Sequence, residues 1–221
     1  MEPSSFYQTL FAALNRGLLL SLALIIPSAL GGAFLGLLTG GIRAHGPRWA
    51  RRLGDFYATL FRGTPLAVQL VILYFGLPGL HIRLSPYWAA VIGFMLCSGA
   101  YQSEYVRGAF LSIRQGQHRA ALALGFGRAQ TLVYIILPQA FRRALHGCGN
   151  EIVYLIKYSS LAYIVTCMEL TGEGKTIATE SFRFTEVFLG IAAYYLALTS
   201  LAMLGLKWLE RRLAIPGMER R

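Results

Sequence analysis

The chain has 221 residues, a length that suits one soluble domain, but its composition is not that of one. Apolar residues make up 55% of it and charged residues only 14%, against roughly 25% charged in soluble proteins, which is too little charge to cover a water-facing surface. The net charge of +11 is what basic cytoplasmic loops give a lipid-embedded chain, so it does not require nucleic acid as a partner.

In chain order, the first uncharged run is 17–42, with Pro27 inside it and Gly32, Gly36 and Gly40 at four-residue spacing. Small residues so placed either seat a neighbouring helix closely or reflect the glycine enrichment of membrane helices. Uncharged runs follow at 63–80, 85–103 and 187–206, each close to the roughly 20 residues that cross the hydrocarbon. A fifth span is placed at 152–168, although it carries Lys157. The stretch 120–141 holds Arg128 and Pro138 and is not counted. The expected class is an all-α, polytopic membrane protein with five transmembrane helices.

Basic residues give the orientation. Segments 43–62, 104–150 and 207–221 hold five, six and five Lys and Arg, whereas the other side holds four: Arg16, Arg83, Lys175 and Arg183. By the positive-inside rule the N-terminus is outside and the C-terminus cytoplasmic.

Motifs for catalysis or metal are lacking. Cys97, Cys148 and Cys167 have no CxxC spacing, and His45, His81, His118 and His146 form no i,i+4 pair. Thr171-Gly172-Glu173-Gly174-Lys175-Thr176 ends like a phosphate-binding loop, but Glu169 stands where the first glycine belongs. It reads as a polar loop. No metal, catalytic residue or nucleotide is expected on this chain.

The cytoplasmic stretch 119–125 (RAALALG) reads as a short helix stopped by Gly125. A second helical run from Arg128 ends at Pro138. Ala120, Ala121 and Gly125, then nine residues, then Ile135, Leu137 and Pro138 resemble the EAA signature of membrane subunits of bacterial ABC importers. Phe61-Arg62-Gly63-Thr64-Pro65-Leu66 through Gln69, the run 74–78, Asn150-Glu151 with Lys157, Ser159, Ser160 and Leu161, and Glu169-Leu170 are similar to the polar amino acid branch of that family (histidine, glutamine and arginine types). Arg119, His146 and Tyr158 depart from its pattern.

The resemblance implies a type I ABC importer permease fold over 1–221 as one transmembrane domain, with a coupling loop at about 115–143. It also implies the bacterial inner membrane, a second permease copy or paralogue, and an extracytoplasmic binding protein delivering an amino acid. Two ABC ATPases, which carry the ATP and Mg, would dock at Arg119, Ala120, Ala121, Leu124, Gly125 and Phe126. The rival reading is an ATP-independent secondary transporter, against which five unrepeated spans speak.

Asn150, Glu151, Tyr154, Lys157, Tyr158 and Leu161 fall at helical spacings and form a mostly polar stripe. A lysine inside a span costs at least about 2.5–3.5 kcal/mol by insertion scales. Lys157 therefore either attracts a substrate carboxylate or is relieved by Glu151, another subunit or snorkelling. The expected substrate path comprises Lys157, Glu151, Asn150, Tyr158, Ser159, Ser160, Tyr101 and Gln69.

Overall fold

The computed structural model describes residues 3–213; residues 214–221, the end of the basic tail, lie outside it. All its elements are helical. Helix α1 (Pro3–His45) runs unbroken through Pro27. It starts well before the uncharged run because Phe6, Leu10 and Leu14, at i, i+4 and i+8, give its first turns a buried face. That face packs with Leu170, Val187 and Ile191.

Helix α2 (Arg48–Gly63) is followed by α3 (Leu66–Val71), which continues as a π-type turn (Ile72–Gly76) and a 3-10 turn (Leu77–Leu80). The axes of α2 and Leu66–Leu80 meet at 102°. Pro65 causes the break. It disfavours helical torsions at the residue before it, and Thr64 is extended, with φ −107° and ψ 139°. Helix α4 (Pro86–Leu111) starts at Ser85, whose hydroxyl accepts the Trp88 N–H.

Helix α5 (Gln115–Ala123) ends as the sequence indicates. Gly125 takes φ +84°. Its N–H donates to Leu122 O, and the Phe126 N–H to Ala121 O, at 3.0 and 3.1 Å. This paired pattern satisfies the last carbonyls of the helix. The next run does not stop at Pro138, as expected from sequence. Helix α6 (Arg128–Gln130), a π-type turn (Thr131–Ile136), α7 (Leu137–Tyr158) and a 3-10 turn (Ser159–Val165) form one rod. Pro138 lies in the first turn of α7, and the irregular bonding before it accommodates the N–H it lacks.

The segment 171–176 is likewise not a polar loop but part of α8 (Leu170–Ser181). Glu169 caps this helix: its carboxylate accepts the N–H groups of Thr171 and Gly172 at 2.9 and 3.1 Å and the Tyr195 hydroxyl at 2.8 Å. A carboxyl cap at a helix N-terminus satisfies N–H groups that have no partner within the helix. Helix α9 (Phe184–Leu213) completes the described chain.

Ser5–His45 and Phe184–Leu213 are long and apolar enough to cross a membrane. Among the described residues the number rises to four if Arg48–Gly63 with Leu66–Leu80, and Arg128–Val165 with Leu170–Ser181, are each one bent span. Helices α1 and α9 expose Leu19, Leu30, Phe34, Leu189, Leu196 and Leu201, the surface that lipid would cover. Helix α4 is not among these candidates, because Tyr101, Gln102, Ser103, Glu104 and Arg107 make its second half too polar; it is instead the hub, on which α1, α2, α3 and α7 all pack. Its Ser98, Gln102 and Ser103 are buried, so its polar groups face protein.

The glycine triplet is a packing seam. A Cβ at position 32 would lie 3.1 Å from Ser98 Cβ, at 36 only 2.5 Å from Gln102 Cβ, and at 40 only 2.7 Å from Ser103 O. Gly41 beside them faces nothing within 4 Å. Gly36→Leu should therefore lower thermal stability in detergent by about 1–3 kcal/mol, the usual cost of overpacking, and Gly41→Ala should not. Equal melting curves for the two would refute the seam.

Candidate functional site

The break between α2 and α3 opens one side of a cavity of about 550 Å³, within the range of small-molecule sites. Arg62, Gly63, Thr64, Pro65 and Leu66 come from the break, Cys97, Tyr101 and Tyr105 from α4, Glu151, Tyr154 and Tyr158 from α7, and Leu161 from the turn beyond it. Four tyrosines thus surround one cation and one carboxylate. Glu151 is 2% exposed and accepts the Tyr158 hydroxyl at 2.6 Å. Arg62 lies over the Tyr101 ring, 5.6 Å from its centroid, and donates to Glu104 Oε2 at 3.0 Å.

Of the expected path residues, Glu151, Tyr158 and Tyr101 come together here. Residues 151, 154, 158 and 161 follow one helical face, whereas Asn150 and Lys157 fall at the stripe's edge. Lys157 is exposed, does not line the cavity and sits over the Tyr154 ring at 5.0 Å. Asn150 is 3.1 Å from His146 Nε2 and His146 Nδ1 is 2.7 Å from Glu210, a chain that ties α7 to α9. Ser159 donates to Ile156 O and Ser160 to Lys157 O, so both hydroxyls are occupied by their own turn. Buried Gln69 donates through Nε2 to Phe61 O and Thr64 O at 2.8 and 2.9 Å. It thereby satisfies carbonyls that the break at Pro65 leaves without helical partners.

Arg62, Tyr105 and Tyr154 were not among the expected path residues. Arg62 reads as an orientation charge in the sequence, and only the 102° bend brings it over the cavity. Beyond the uncharged run of α4, Glu104 receives Arg43 at 2.9 Å, Arg62 at 3.0 Å and Arg107. Burial alone would raise its pKa, but hydrogen bonds from Arg107 and Arg43 outweigh this and hold it below the usual carboxylate value. Arg43 also reaches Asp55 at 2.7 Å and Ser103 at 2.9 Å, joining α1, α2 and α4 with one guanidinium.

The expected coupling residues lie apart from the cavity. On α5, Ala121 is buried, while Arg119, Ala120, Leu124 and Gly125 are exposed and Phe126 is half-buried. Leu124 is 77% exposed, an unpartnered apolar side chain at the tip of the knob.

Tyr158→Phe should remove one of the donors to buried Glu151, Ser98 being the other, and lower stability by about 0.5–1.5 kcal/mol, the net worth of one hydrogen bond. Thermal unfolding of the purified protein checks this, and an unchanged midpoint would mean the bond contributes nothing.

Comparison with known proteins gives a consistent picture. The family described as "Binding-protein-dependent transport system inner membrane component" matches residues 11–215. The glutamine transport system permease protein of Escherichia coli K12 is 39% identical over 204 residues, covering 91% of this chain and 93% of that one. The octopine transport system permease protein of Rhizobium radiobacter is 38% identical over 206 residues, covering 89% and 84%. Among solved structures, an amino acid ABC transporter crystallised with histidines superposes with TM-score 0.86 at 29% identity, covering 91% and 94%. The inward-facing methionine transporter MetNI superposes with TM-score 0.74 at 19% identity, covering 97% and 100%, and so shares the fold.

Proposed function

Because the chain belongs to the family of binding-protein-dependent transport system inner membrane components, we propose that it is the permease subunit of an ATP-driven importer of polar amino acids. The observation that carries the substrate class is the cavity, where one basic group, Arg62, and one acidic group, Glu151, stand among tyrosines. An α-amino acid brings a carboxylate and an ammonium. Each needs a partner on the way through a low-dielectric layer, where unpaired charge is very costly. Glu151 faces the ammonium and Arg62 the carboxylate. Relatives named for glutamine and octopine support the class.

In this reading the whole chain is one transmembrane domain with five spans, formed by α1, the segment 66–80 that follows α2, α4, the α7 rod with its re-entrant α8, and α9. The N-terminus is outside and the C-terminus cytoplasmic. A second copy or a paralogue completes the path and covers exposed groups such as Lys157. A binding protein delivers substrate from outside. Two ATPases hold ATP and Mg, and this chain holds neither. They grip α5, with Leu124 and Phe126 as the apolar contact and Arg119 beside it. Their closure moves α5, and the rod that follows it through the Phe126-Gly127 turn carries the motion to Glu151 and Tyr158.

Gly125→Val tests the coupling. Valine at φ +84° is strained by at least about 1–2 kcal/mol and spoils the knob, not the cavity. The variant complex in proteoliposomes should still insert, but should lose substrate-stimulated ATP hydrolysis and uptake together. Full transport would show that α5 is not the coupling element.

A further inference from the structure

Helix α2 has three distinct faces. Gly54 and Ala58 are buried against the bundle, and the Tyr57 hydroxyl donates to Leu96 O on α4 at 2.7 Å. At 3.6 residues per turn, Trp49, Leu53, Phe56 and Leu60, spaced i, i+4, i+7 and i+11, fill a second face. They are 69%, 62%, 68% and 44% exposed. Arg48, Arg51 and Arg52 are also exposed; at about 100° per residue Arg52 flanks this face, Arg48 lies further round and Arg51 is on the opposite side of the helix. None of the three forms an ion pair among the described residues. The 102° bend to Leu66–Leu80 turns α2 across the direction of the segment that follows it. If that segment enters the bilayer, α2 lies along its surface.

From this arrangement we propose that α2 is an interfacial helix that binds anionic phospholipid headgroups through Arg48, Arg51 and Arg52 while Trp49, Leu53, Phe56 and Leu60 sink into the acyl boundary. A basic helix with a separate apolar face partitions into the interface in this way, and the tryptophan suits the headgroup level. Charge complementarity selects the anionic headgroup: none of the three arginines is ion-paired, because the helix's one carboxylate, Asp55, is taken by Arg43, and the exposed apolar face flanked by Arg52 suits lipid chains. The effect reaches inward, because Asp55 on the same helix receives Arg43, which holds Glu104. Bound anionic lipid thus steadies the helix that frames the cavity. The inference needs only the membrane location and is independent of what the protein transports.

The test uses the intact transporter complex reconstituted in phosphatidylcholine vesicles containing a minority of phosphatidylglycerol. The lipids that remain with the complex after extraction are counted by mass spectrometry, for wild type, the triple variant Arg48→Gln/Arg51→Gln/Arg52→Gln, each single glutamine variant, and the triple lysine variant. Wild type and the lysine variant should carry phosphatidylglycerol above its share in the vesicle. Enrichment should fall by up to roughly fivefold per arginine lost, and high salt should erase it. Equal enrichment in wild type and the glutamine variants would overturn the proposal. So would no enrichment in wild type, or loss of the ATPase subunits from the glutamine variants with enrichment kept, which would give this face to a protein partner.

Discussion

The close approach of α1 and α4 is the contact on which the architecture rests. Gly36 and Gly40 leave no room for a Cβ against Gln102 and Ser103, and Gly32 leaves only a tight fit against Ser98. In a bilayer there is no hydrophobic gain from bringing helices together, so association depends on packing and on interhelical hydrogen bonds. The seam allows α4 to sit inside the bundle with polar residues on its surface. It also sets where α2, α3 and α7 can lie, because all three pack on α4.

Given that hub, the cavity follows from two local irregularities. Pro65 breaks the α2–α3 helix, and Gln69 satisfies the carbonyls left at the break. The helical register of α7 then brings Glu151, Tyr154 and Tyr158 to face it. In the second half of α4, Arg43 binds Ser103 and Glu104, and it also reaches Asp55 on α2. The guanidinium's planar array of donors suits it to join three helices, which a lysine could not match. Glu104 gathers Arg43, Arg62 and Arg107, so the wall of the cavity and the base of the bundle share one charge network.

Much of this was legible in the residues. The apolar runs located α1 and α9, the spacing of 120–138 located the α5 knob, and Gly125 announced its own left-handed turn. The seam was visible as an alternative, and only the backbone distances decided it. The α7 stripe was readable, but its edges were not: Asn150 and Lys157 share the helical spacing yet do not line the cavity, since a difference of one residue rotates a side chain by about 100°. Glu169 looked like a failed phosphate loop because its value lies in folding back on Thr171 and Gly172, a contact that spacing alone does not reveal. Pro138 looked like a terminator because a proline at the start of a helix and one after its end carry the same letter. Arg62 was hidden because its position depends on a 102° bend, a long-range consequence of Pro65.

If the cavity is part of the substrate path, bound substrate shields its lining, and thiol protection tests that most directly. In a variant with Cys97, Cys148 and Cys167 replaced by serine, a cysteine is placed at Tyr154, which lines the cavity, or at Ile152, which is 37% exposed and does not line it. Labelling rates with a small thiol reagent are then compared with and without saturating amino acid in the assembled complex. Substrate should slow labelling at 154 and leave 152 unchanged. Labelling at 154 that is indifferent to substrate, or slowed equally at both positions, would place the path elsewhere.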